Sequence, residues 1–161
     1  MSNLKETIEV DCPPFYAMHH AERFFTVHRR EHTPGKLTLR VDLSSLKLPG
    51  TSQARHEVTV KHELATAGGE SKLALSWDPQ DPTVPRFAGT LSSGEKDGKT
   101  LLTLDGTYQP PLGVAGAAFD LVVGNKIAAA TGHALLEDIK QFIESDYRTA
   151  LSTKLASSPK E

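Results

Sequence analysis

Cysteine is almost missing from this sequence: Cys12 is the only one among 161 residues. A lone thiol closes no internal disulfide, so nothing in the chain points to an oxidising compartment. Long apolar runs are missing too. No stretch approaches the roughly 18 consecutive apolar residues of a membrane-spanning helix, and the first ten residues alternate charged with apolar side chains and lack a signal-peptide core. Charge of one sign is scarce: 18 basic against 20 acidic residues leave a net charge of −2, without the basic excess or stripe of a dedicated nucleic-acid binder. The expectation is a soluble cytoplasmic protein with no nucleic-acid partner and no membrane span.

What is present is an ordinary globular composition, 38% hydrophobic and 24% charged, with a mean hydropathy of −0.33. That is too apolar for disorder. At this length a single domain buries about two-thirds of its unfolded surface and needs no staples. The near-zero charge agrees with an uncharged, hydrophobic partner.

Residues 7–10 alternate and read as a short strand, ended by Pro13-Pro14. Proline is tolerated in a first helical turn, so Pro14 opens a helix through about Arg23, with Phe15, Met18 and Glu22 on one face. Residues 36–43 keep strict period 2: Leu37, Leu39, Val41 and Leu43 face one way, Thr38, Arg40 and Asp42 the other. That is the signature of a half-buried strand. Strand-like runs follow at 55–64, 72–77, 86–91 and 101–108, separated by turn chemistry at 48–52, 68–69, 78–85 and 94–98. From 114 to 151 there is no proline, and Ala, Leu, Ile, Lys and Glu dominate. This predicts one helix far longer than the usual ~11–12 residues, with 152–161 as a polar tail.

Alternating strands have one wet and one dry face, and the last helix is the only element large enough to cover the dry one. The fold expected is therefore α+β: a curved antiparallel sheet of about six to seven strands around a long C-terminal helix, in one domain over residues 1–151. Within that helix, Leu135, Leu136, Ile139, Phe142 and Ile143 share a face opposite Glu137, Lys140, Gln141 and Glu144. Nearer its start the same inner face carries mostly small residues, from Ala117 and Ala118 through Leu121, Gly124, Asn125 and Ala128 to Gly132. These either let the helix approach the sheet closely or leave a pocket between them. The opposite face bears Phe119, Val123, Ile127, Ala130 and Ala134. It is covered by another segment of the chain or by a second subunit.

Two motifs imitate chemistry. His28-Arg29-Arg30-Glu31-His32 has H-x-x-E-H spacing, but zinc chemistry needs both histidines on a stable helix and a third ligand. Thr33-Pro34-Gly35 follow at once and end any helix, so no metal site is expected. Gly94-Glu95-Lys96-Asp97-Gly98-Lys99-Thr100 is one spacer short of a phosphate-binding loop and lies between two strands, where that mechanism requires a helix after the loop. It reads as a hairpin. What remains is polar and aromatic groups at inward parity. His56 and His62 share a face with Val58, Val60 and Leu64, and Trp77, Phe87 and Tyr108 share the parity of their strands' apolar sets. They serve either as core and strand-end residues or as the lining of a pocket.

Trp77, the run Val84-Pro85-Arg86-Phe87-Ala88-Gly89-Thr90-Leu91, the run from Leu102 through Gly106-Thr107-Tyr108-Gln109-Pro110-Pro111-Leu112-Gly113, and Asp120 together resemble bacterial members of the SRPBCC superfamily. This is the START-like, polyketide-cyclase-like group, and the likeness spans about residues 72–147. It implies a helix-grip fold with a deep, mainly apolar cavity between sheet and helix that binds lipids, sterols, polyketides or other hydrophobic molecules. Some members are cyclases or hydrolases, but they differ in acting residues, and no catalytic set transfers here.

The leading expectation is a binding module for a hydrophobic or amphipathic small molecule, without a cofactor. Leu73, Leu75, Trp77, Phe87, Leu104, Tyr108, Leu121 and Ala128 would line the site, and His56, His62, Tyr108 and Asn125 would orient the ligand. A second reading is a cyclase or aromatase using His56 or His62 as base and Tyr108 as donor. A third is an interaction protein with a collapsed cavity that dimerises through Phe119, Val123, Ile127 and Ala134.

Overall fold

A computed structural model describes residues 2–31, 36–42, 53–68, 70–77, 86–109 and 121–156. The order of elements is β1 (Ser2–Val10), α1 (Pro14–Glu31), β2 (Lys36–Asp42), β3 (Gln53–Ala67), β4 (Glu70–Trp77), β5 (Arg86–Lys96), β6 (Lys99–Gln109) and α2 (Leu121–Ala156). The architecture is α+β, a curved antiparallel sheet with a C-terminal helix.

The strand count differs from the expected six to seven. Five strands, β1-β6-β5-β4-β3, form the continuous sheet. β2 pairs only with residues 53–59 of β3, beyond the point where β4 leaves off at the Val60–Trp77 pair. It extends the order to β1-β6-β5-β4-β3-β2. Each strand from β2 to β6 pairs with the next in sequence, and β1 closes on β6. The β5–β6 turn is tighter than the five-residue loop expected: Asp97 and Gly98 alone make it, with φ of 53° and 77°. Two successive positive φ values match the right-handed twist of a hairpin, and Asp-Gly accepts them at low cost.

Alternation places the core. Leu4, Ile8 and Val10 of β1 face inward with Val58 and Val60, Leu73, Leu75 and Trp77, Phe87 and Leu91, and Leu102, Leu104 and Tyr108. One interior position stays empty of side chain. Gly89 and Gly106 sit opposite each other on β5 and β6, and a Cβ on Gly89 would lie 2.6 Å from both the Gly106 Cα and the Phe87 Cζ. The pair lets two strands approach closely and bend under the Phe87 ring.

Both helices run past their expected ends. α1 continues from Arg23 to Glu31 and buries Ala17, Met18, Ala21, Phe24 and Phe25. Phe15, expected on its apolar face, is 85% exposed. α2 continues to Ala156, into the segment expected as a polar tail. Its buried stripe, Leu135, Leu136, Ile139 and Ile143, is the one the helical period marks out. α2 lies chiefly against β1 and β2, the two edges of the sheet, and spans it from rim to rim. At β1 it also closes the edge: Lys140 Nζ donates to the Glu9 carbonyl at 2.8 Å, and the Asp11 amide donates to Glu144 Oε1 at 2.9 Å. Bare strand edges invite foreign pairing, and a lysine laid across one blocks it. No described helix is long and apolar enough to cross a membrane.

Candidate functional site

The registers bring Trp77, Phe87 and Tyr108 into one row across β4, β5 and β6. All three take inward parity, and all are buried, Trp77 at 2% and Tyr108 at 1% exposure. The indole and the Phe87 ring stack, with centroids 4.5 Å apart at 22°. Among the described residues neither Trp77 Nε1 nor Tyr108 Oη has a hydrogen-bond partner. Such groups are rare, since an unpaired buried donor carries its full desolvation cost of about 1–3 kcal/mol. Burial raises the Tyr108 phenol above its ordinary range, so it stays protonated and able to donate.

The next row inward is His62, Leu75, Gly89, Gly106 and Leu4, and the one after it is Leu64, Leu73, Leu91, Leu104 and Glu6. The Phe87 ring reaches over the glycine pair between the first two rows. His62 is half-buried and stacks against Phe25 of α1, with centroids 5.7 Å apart at 28°. Leu73, Leu75, Phe87 and Leu104 are buried as expected, and from α2 Ala128 is buried with them.

Asn125 corrects the sequence reading. The helical period directs it inward from the long helix, but it is exposed, as is Lys126. It lies on the same helical stripe as Gly132 and Ile143, so the cover over that stripe stops short of this turn. His56 pairs with Leu39 in register, and its side chain, like that of Leu121, lies outside the described residues. So do Phe119 and the side chains of Val123 and Ile127 in the stripe expected for subunit contact, while Ala134 is half-buried.

Sequence reasoning misses Glu6, because the alternation at residues 7–10 marks only the second half of the first strand. β1 begins at Ser2, which gives Glu6 the inward parity of Leu4 and Ile8. Its carboxylate lies 3.9 Å from His133 Nδ1, and its Cγ would be 3.5 Å from a Cβ on Gly132. Glu6 and His62 are four strands apart in the sheet and make no acid–base pair of the kind a cyclase reading needs.

A second polar group joins the helices. His20 Nδ1 lies 2.6 Å from Asp146 Oδ2, which also accepts from Arg23 Nη1 at 3.0 Å. Tyr16 stacks on His20 with centroids 3.6 Å apart and meets Tyr147 edge-on. Burial lowers the imidazole's pKa against the opposing pull of Asp146. Lys61, His62, Glu63, Ala74, Leu75, Ser76, Ala88 and Gly89 line an open groove of about 360 Å³, and the outward parity of Lys61, Glu63, Ala74, Ser76 and Ala88 puts it on the other face of the sheet. Its lining includes no helix residue. Among the described residues no group of His, Cys, Asp and Glu has the arrangement of a metal site.

No protein-family model and no curated protein matches the chain. Among solved structures, the crystal structure of TTHA0849 from Thermus thermophilus is similar in fold, with a TM-score of 0.50. It is 15% identical, over 90% of this chain and 99% of that one. At that identity the likeness speaks to fold alone.

Proposed function

We propose that this protein binds a hydrophobic or amphipathic small molecule between the inner face of the sheet and α2, without covalent chemistry. The observation that carries the reading is the pair of buried polar atoms without a partner among the described residues, Trp77 Nε1 and Tyr108 Oη, one strand either side of Phe87. A filled core has no use for two orphaned donors, whereas binding sites are apolar with a few polar groups that fix orientation. The placement of α2 supports the same reading. A helix resting on both rims of a curved sheet spans the middle strands, and it turns small residues, Ala128 and Gly132, toward the interior. The reading extends to a helix-grip fold of the SRPBCC kind and to a cytoplasmic setting, which suits a chain with one cysteine.

The sequence has one tryptophan, and it sits in the proposed site. Native mass spectrometry of freshly purified protein, followed by titration of Trp77 fluorescence with any molecule recovered, tests the proposal. A retained small molecule that shifts the emission and saturates at one per chain is the expected result. A bare chain mass, together with emission that no hydrophobic compound alters, would overturn it.

A further inference from the structure

The polarity of the inner face restricts what such a site would hold. Trp77 Nε1 can only donate a hydrogen bond, and a protonated phenol buried without a partner offers a donor first. A pure hydrocarbon would leave both donors orphaned; a ligand bearing acceptor oxygen would satisfy them.

Charge narrows the class further. The described inner faces of the strands carry no Lys or Arg, and in the sequence residues 100–125 contain none at all. The first basic residue of α2, Lys126, is exposed. The inner face does carry Glu6 on β1, whose carboxylate lies 3.9 Å from His133 Nδ1, and the half-buried His62 on β3. A buried anion needs a cation or a dense set of donors, and the described strands bring two single donors and no Lys or Arg to this row.

Resting on the small-molecule reading above, we infer that the ligand is electrically neutral and presents acceptor oxygen, as a ketone, ester or ether does, to Trp77 and Tyr108. Fatty acids and other anionic amphiphiles are expected to bind this face more weakly on the same ground.

Calorimetric titration with three probes of one shape tests this: 2-acetylnaphthalene (a neutral acceptor), 2-isopropenylnaphthalene (its hydrocarbon isostere) and 2-naphthoate (an anion). The ketone is expected to bind at least tenfold tighter than either of the others. Tyr108→Phe and the double variant Trp77→Phe/Tyr108→Phe are expected to lower or abolish that preference. Equal binding of ketone and hydrocarbon overturns the inference and leaves the small-molecule reading standing. Tightest binding of naphthoate overturns the neutrality. A preference that survives in the folded double variant removes Trp77 and Tyr108 from the recognition. Binding of none of the three counts against both readings. Should the double variant fail to fold, the wild-type ranking still decides.

Discussion

The rings of Trp77 and Phe87 lie nearly parallel, 4.5 Å apart, and the far edge of the same Phe87 ring covers Gly89 and Gly106. Phe87 is thus held between an indole on β4 and a gap in side chains on β5 and β6. The gap is a requirement. A Cβ on Gly89 meets the Gly106 backbone and the Asp105 carbonyl as well as the ring, and backbone atoms cannot swing aside as a flexible side chain can. Gly89→Ala is expected to cost about 1–3 kcal/mol, the usual range for overpacking a filled interior. It is also expected to shift the emission of Trp77, because Phe87 must move. Thermal denaturation followed by fluorescence reads both, and an unchanged melting temperature would show the two strands to be farther apart.

Two buried hydroxyls give opposite expectations. Tyr108 Oη has no partner among the described residues, so Tyr108→Phe strands none of them and removes an unmet donor; stability stays level or rises by up to ~1 kcal/mol. Thr100 Oγ1 donates to the Cys12 carbonyl at 2.7 Å, so Thr100→Val leaves a buried acceptor unmet and costs about 1–3 kcal/mol. Urea denaturation of the two variants compares them directly. A destabilised Tyr108→Phe would mean that its hydroxyl is already engaged within the protein.

Acid weakens the fold in two steps. Burial holds the folded pKa of His20 below its ordinary 6.5, so as the pH falls through 6.5 the unfolded chain takes up the proton first. Folding loses stability from there down to the folded pKa. Burial raises the Glu144 carboxyl, but Lys140 and the Asp11 amide more than offset it and hold its pKa below 4.5. Its contribution is present above 4.5 and is lost as the pH falls below that value. Melting temperatures across pH 7.5 to 3 should therefore fall more gently near neutrality in His20→Gln, and more gently at the acid end in Glu144→Gln. Parallel curves for His20→Gln and wild type would contradict the buried, neutral histidine.

Lys140 joins α2 to the β1 edge through the Glu9 carbonyl and also holds Glu144, one turn along the same helix, at 2.6 Å. Lys140→Met keeps the aliphatic stem and removes both polar contacts. The expected cost is about 1 kcal/mol, with faster hydrogen exchange along β1 than in the central strands. Uniform exchange across the sheet would show that the helix does not guard that edge.

The sheet was legible because its strands alternate. Residues 72–77 and 101–108 each place apolar side chains at every second position, and a period of two has one structural meaning. The aromatic row was legible for the same reason, since parity alone puts Trp77, Phe87 and Tyr108 on the dry face. Asn125 misled because a helical period gives the face of a residue and not how far the covering layer reaches. Glu6 was overlooked because Ser2–Lys5 mixes polar and charged residues with a single leucine, and only pairing with Asp105–Tyr108 of β6 makes that stretch a strand. The Tyr16, His20, Arg23 and Asp146 group joins residues far apart in the chain, which no local pattern can reveal.

The order of the strands also governs how the chain can fold. β2 through β6 form a meander in which each strand finds its partner beside it in sequence, but β1 must pair Ser2 with Tyr108 and Val10 with Thr100. Of these strands, the first to leave the ribosome is therefore the last to be matched. While the meander is being made, the apolar side of β1, Leu4, Ile8 and Val10, stays uncovered. Closing that long circuit carries the largest loop-closure cost of any strand pairing in the sheet, and the edge it leaves is the one that Lys140 of α2 covers.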